Sequence, residues 1–217
     1  MAAFDLEEQE QISQIKGWWE QYGTLVTGLA VAVALASVGW QGWQWYQGKQ
    51  SAEASALYGV LQKAASEKNA QKAREAAGTL LEKYNGTAYA DMAALLSAKV
   101  QADAGDLKNA RVPLAWAATK ANNPALRELA RLRLATVLFD DKAYDEALAQ
   151  LQAPTDESLV ARFADLKGDI LLAQGKREEA KAAYKAVVAD LEKATKGESA
   201  ALREIAQAKL DAVGGAQ

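Results

Sequence analysis

The window from Gln21 to Gly48 holds no charged residue, and within it Leu25 to Tyr46 reads LVTGLAVAVALASVGWQGWQWY. About 20 apolar residues in a helix rising ~1.5 Å each cross the ~30 Å hydrocarbon core of a bilayer. A helix that only lies on a membrane needs a strongly polar face, and residues 25–39 have none. Trp18, Trp19 and Tyr22 precede the run and Trp40, Trp43, Trp45 and Tyr46 close it, so five of the six Trp fall at headgroup depth. We therefore expect a transmembrane helix over residues 22–47, in contact with the lipid bilayer, behind a short acidic tail over residues 1–21. Ala34-Leu35-Ala36 before Ser37 has the form of a signal-peptide cleavage site, but the segment ahead of it is acidic and the Trp belt follows, which favours an uncleaved anchor.

The remainder, residues 48–217, is long enough for one domain with a sizeable core. Only three Pro occur in the whole chain, and Ala, Leu, Lys, Glu, Gln and Arg dominate after Lys49, so the domain is expected to be all-α. The formal net charge is -3, and the first 20 residues account for more than all of it through Asp5, Glu7, Glu8, Glu10 and Glu20 against Lys16. No basic field exists to attract nucleic acid. With no Cys there are no disulfides, thiolate metal sites or thiol catalysis, and with no His the usual metal ligand and general base are missing. Lys16 on one side of the anchor and Lys49 and Lys63 on the other are too few to set its orientation by charge.

Helix-ending residues recur at short intervals: Glu67 to Asn69, Asn85 to Thr87, Gly105-Asp106, Asn122 to Pro124, Asp140 to Ala143, Ala153 to Asp156, Gly175-Lys176 and Lys196-Gly197. Helices of roughly 12 to 18 residues joined by such turns pack as antiparallel neighbours. A repeat runs through them. Leu134-Ala135, Leu138, Lys142, Tyr144, Ala147 and Leu151 match Lys167-Gly168, Leu171, Gly175, Arg177, Ala180 and Tyr184 at 33 residues, and Ser97-Ala98, Gln101, Gly105, Leu107, Ala110 and Leu114 lie 37 residues before the first of these. These are the intervals of a tetratricopeptide-like repeat. About four hairpins are expected, the first keeping little of the pattern, with a closing helix over 198–212 that buries Leu202, Ile205 and Leu210 and turns Arg203, Glu204 and Lys209 to water.

No catalytic constellation stands out, and the acidic pairs Asp140-Asp141 and Glu178-Glu179 sit at hairpin turns, where carboxylates cap helices. Enzyme activity, a cofactor and a metal site are therefore not expected. A binding surface is. The first helix of each hairpin in a solenoid lines a groove, which selects Met92, Leu95 and Lys99, then Leu129, Leu132, Thr136 and Phe139, then Arg162, Asp165 and Asp169. The competing assignment packs the same residues between neighbouring repeats. In the anchor, Gly28, Ala32 and Ala36 form a line of small residues along which another helix could approach.

The layout resembles the YfgM family, ancillary subunits of the bacterial SecYEG translocon. The resemblance rests on the acidic head ending in Lys16 to Trp19, the anchor closing on Gly39-Trp40 and Trp43, and the four-hairpin domain. Its closest words are Asp165-Leu166-Lys167-Gly168-Asp169 and Gly175-Lys176 inside ARFADLKGDILLAQGKREEA. The resemblance implies a single-pass protein of the inner membrane, with its N-terminus in the cytoplasm and its repeat domain in the periplasm. It also implies association with SecYEG and with a PpiD-like periplasmic chaperone, assisting secretory client proteins as they leave the channel. The alternative from a different class is a membrane-tethered scaffold for envelope or cell-division complexes.

Overall fold

A computed structural model describes residues 6–192 and 197–215; Asp5 of the acidic head and Lys196 of the last expected break lie outside the described residues. Among them there are nine α-helices and no strand. These are α1 (Leu6–Ser66), α2 (Ala70–Lys83), α3 (Ala88–Asp103), α4 (Leu107–Lys120), α5 (Pro124–Asp140), α6 (Tyr144–Gln150), α7 (Val160–Ala173), α8 (Arg177–Asp190) and α9 (Gly197–Gly215), with a 3-10 turn at Glu157–Leu159. The chain divides into two compact units after Gln50.

In the first unit, α1 carries the one run among the described residues long and apolar enough to cross a membrane, and almost none of it is buried. Leu25, Leu29, Leu35 and Val38 are all bare, a costly arrangement in water and the expected one in lipid. The aromatic residues at its ends contact one another: Trp18 lies 5.8 Å from Tyr22 and Trp43 lies 6.3 Å from Tyr46 between ring centroids. Nothing between Lys49 and Ala54 breaks a helix, so α1 runs past the end of the anchor, and its last turns serve as the first helix of the first hairpin.

The second unit is built of four hairpins: the end of α1 with α2, α3 with α4, α5 with α6, and α7 with α8. One turn geometry closes all four. Lys68, Gly105, Lys142 and Gly175 have φ of 53°, 77°, 60° and 77°. In each turn the next residue donates backward five residues, as Asn69 N to Ala64 O, Asp106 N to Gln101 O, Ala143 N to Leu138 O and Lys176 N to Leu171 O. This Schellman pattern satisfies the last carbonyls of the outgoing helix. The turns stand 37, 37 and 33 residues apart, which places the first hairpin in the same register as the other three.

That register shows how the hairpins are filled. Ala73, Ala110, Ala147 and Ala180 occupy one place, all with no exposed surface. A second place pairs a residue of the first helix with one of the return helix: Leu61 with Ala77, Ala98 with Leu114, Ala135 with Leu151 and Gly168 with Tyr184. Each of the first three pairs lies in one apolar cluster. In the fourth, a Cβ on Gly168 would stand 2.4 Å from Tyr184 Cε1. Total volume is held roughly constant, as close packing requires, while the large partner changes sides in the first hairpin. The sequence pattern was weak there for this reason.

Two differences from expectation concern local structure. Helix α6 has only seven residues and ends at Gln150, ahead of the expected break at Ala153. The carbonyls of Gln150 and Gln152 accept from Arg131, and the amides of Thr155 and Asp156 donate to Glu128, so partners on α5 replace the bonds a longer helix would have made. In α9 the expected facing holds in part: Leu202 and Leu210 are half-buried against apolar clusters and Glu204 faces water, but the fully buried residues are Ala200, Ala206 and Val213, Ile205 is 52% exposed, and Lys209 turns inward. Lys209 turns in because α7 offers it two carboxylates, Asp165 and Asp169.

Candidate protein-binding surface

Between α3 and α5 lies an open cleft of about 310 Å3. Ala98, Ala102, Leu114 and Val137 form its apolar floor, and Lys99, Asp103, Arg133, Thr136 and Asp140 its rim. Helical spacing explains the set: Arg133, Thr136 and Asp140 fall on one face of α5, and Lys99 and Asp103 lie one turn apart on α3. The Thr136 hydroxyl donates to Leu132 O at 3.1 Å, a bond within its own helix.

Of the ten residues singled out for a groove, the structure brings Lys99 and Thr136 together here. Leu95 is buried, 8% exposed, in the central apolar cluster. Leu129, Leu132 and Phe139 are half-buried and pack against that cluster, Phe139 with its ring 5.9 Å from Tyr144. Met92 is half-buried as well. Arg162, Asp165 and Asp169, the equivalents of Leu129, Leu132 and Thr136 one repeat later, are engaged by α9. Arg162 pairs with Glu198, and Lys209 Nζ lies 2.8 Å from Asp165 and from Asp169. Burial works against the Lys209 charge, but the two carboxylates outweigh it and hold the ammonium above its ordinary range. Tyr184 is likewise held protonated, by burial and by donating to Asp169 at 2.8 Å.

Arg133, Asp103 and Asp140 were missed in the sequence because the choice followed the face of α5 that carries Leu129, Leu132 and Phe139 and its equivalents on the other first helices, and the three missed residues lie beside that face. Also missed were two buried carboxylates at equivalent places. Asp91, 1% exposed, accepts from the amides of Asn122 and Asn123, and Glu128, 7% exposed, accepts from Thr155 and Asp156. Each fixes the connection to the next hairpin. At the same place in the first and last hairpins stand Ala54 and Ala161. An acidic residue on the apolar side of a helix, 37 residues from another, was the available signal.

The line Gly28, Ala32 and Ala36 is exposed along its length, and a Cβ on Gly28 would meet no atom within 4 Å. A partner helix could reach its backbone there.

Comparison with known proteins bears on the chain as a whole. A family model described as a tetratricopeptide repeat-like domain matches residues 16–215. A Haemophilus influenzae protein named "Ancillary SecYEG translocon subunit" is 34% identical over 184 residues, 84% of this chain and 89% of its own. The chain belongs to the YfgM family. Relatives with the same name occur in Neisseria gonorrhoeae, 29% identical over 97% of this chain and 99% of that protein, and in Escherichia coli, 29% identical over 83% and 87%. The family match opens ahead of the anchor and closes at the end of α9, so anchor and repeats form one unit of similarity in the YfgM family. A single-pass protein of the inner membrane fits this arrangement.

Proposed function

We propose that this chain is a membrane-anchored, non-enzymatic protein-binding subunit that associates with the Sec translocon. The observation that carries the reading is the extent of similarity: a relative named for that role aligns over 97% of this chain, through anchor and repeats alike. In this reading the N-terminus is cytoplasmic and the repeat domain periplasmic, beside a PpiD-like chaperone, where it assists secretory chains leaving the channel. Gly28, Ala32 and Ala36 meet a helix of the translocon. The first helices of the hairpins present the binding surface, with Lys99, Thr136 and Arg162 at its polar positions and Met92, Leu129, Leu132 and Phe139 at its apolar ones.

The physical basis is tethering. Anchoring a binding surface beside the channel raises its effective concentration for passing segments, so a weak intrinsic affinity suffices. Photo-reactive residues placed at Ala32 and at Thr136 in intact cells test this directly. Adducts to Sec subunits from Ala32, with a periplasmic chaperone or secretory chains from Thr136, are the expected result. Adducts confined to division or cell-wall proteins would replace the reading with that of an envelope scaffold.

A further inference from the structure

The cleft between α3 and α5 is polarised along its length. Its two walls are equivalent helices 37 residues apart, and they end at Asp103 and Asp140 respectively. Both carboxylates therefore lie at helix C-termini, where the peptide dipoles add further negative character. One turn or more toward the N-termini stand Lys99 and Arg133, and small side chains, Ala98 and Ala102, floor the space between. Arg133 and Asp140 have no ion-pair partner among the described residues. Lys99 pairs with Asp103, but their side chains are 62% and 64% exposed, and such a pair within one helix exchanges readily for the charges of a ligand.

We infer that the cleft takes an extended peptide segment in which short aliphatic side chains sit between an acidic flank and a basic flank. The acidic flank faces Lys99 and Arg133, the basic flank faces Asp103 and Asp140, and the aliphatic side chains enter over Ala98 and Ala102. Charge complementarity at both ends fixes the occupant, because a segment with like charges on its two flanks meets repulsion at one of them. Lys99 and Asp103 stand four residues apart and Arg133 and Asp140 seven, about 6 and 10 Å of helix rise, which two to three residues of extended peptide span at ~3.3 Å each. This inference rests on the protein-binding reading above and specifies which segments that surface selects.

The test uses the full chain in lipid nanodiscs and three labelled peptides with a common Leu-Val centre, flanked by Glu and Lys, by Glu alone, or by Lys alone. Fluorescence anisotropy should rank the mixed peptide first by roughly five-fold or more, about the combined effect of one favourable exposed charge pair and one avoided repulsion. Asp103→Lys with Asp140→Lys, checked for an unchanged circular dichroism spectrum and melting temperature, should move the preference to the Glu-flanked peptide. Equal affinities, no binding of any peptide, or a folded variant with unchanged ranking would each overturn the inference. Crosslinks from Thr136 to secretory chains that persist beside such a failure would leave the protein-binding reading standing, so the two can fail separately.

Discussion

Gly168 and Tyr184 condense the packing logic of the repeat into one contact. Tyr184 has no exposed surface, its hydroxyl donates to Asp169, and the Lys209 ammonium sits 5.5 Å over its ring, so it has no room to retreat from an added methyl group. Gly168→Ala is expected to destabilise the fold by about 1–3 kcal/mol, the usual cost of overpacking a filled core. Other hairpins tolerate Ala at that place because their return helix offers Leu114 or Leu151. Adding Tyr184→Leu to Gly168→Ala should therefore cost less than the two single changes together. Chemical denaturation of the four proteins in a double-mutant cycle measures that coupling, and strict additivity would refute the volume exchange. The Gly168 and Ala180 positions were legible from sequence, since small residues recur at fixed intervals. The polar partners of Asp165 and Asp169 were not, because Lys209 lies in another element and no local pattern announces it.

At the scale of elements, the sequence located nearly every turn, because Gly, Asn and Asp stand where the chain leaves a helix. Lys68 and Lys142 adopt the same left-handed turn without Gly, and only their spacing from Gly105 and Gly175 betrays it. What the sequence hid were the long-range bonds that hold one hairpin to the next. Glu128 is the clearest case. Hydrogen bonds from the Thr155 hydroxyl and from the amides of Thr155 and Asp156, with the nearby Arg131 charge, outweigh burial and hold its carboxyl below the ordinary value of 4.5. A carboxyl depressed on folding contributes stability that is complete above its unfolded pKa and fades as pH falls through the folded one. Glu128→Gln should thus lower the melting temperature at pH 7, and the gap to the parent protein should close as pH is taken below about 4.5. Melting curves followed by circular dichroism across that range decide the matter. A gap that is constant with pH would mean that Glu128 acts by shape and not by charge.

For the whole molecule, the decisive point is that α1 serves two solvents within one helix. Leu25, Leu29, Leu35 and Val38 are bare, whereas from Ala54 onward the helix contributes Ala54, Leu61 and Ala64 to an interior shared with α2 and α3. Among the described residues every apolar cluster draws its members from Ala54 to Val213. The repeat domain therefore owes none of its core to the anchor, and the anchor owes its stability to a surrounding bilayer. Removing residues 1–50 should leave a soluble, fully helical domain that unfolds in one cooperative transition, since Ser51 to Ser66 still supplies the first helix of the first hairpin. Cutting deeper, through residue 66, should expose Ala73, Ala76, Ala77 and Leu80 and produce a protein that aggregates or melts broadly, as a solenoid does when a terminal repeat loses its cover. Gel filtration without detergent and thermal melts of the two truncations provide the measurement. If the shorter cut already aggregates, the segment before Ser51 takes part in folding the domain; if both truncations behave alike, the last turns of α1 are dispensable to the first hairpin. Only the combination of a well-behaved first truncation and a failing second one matches a helix whose function changes, within a few residues, from anchor to core.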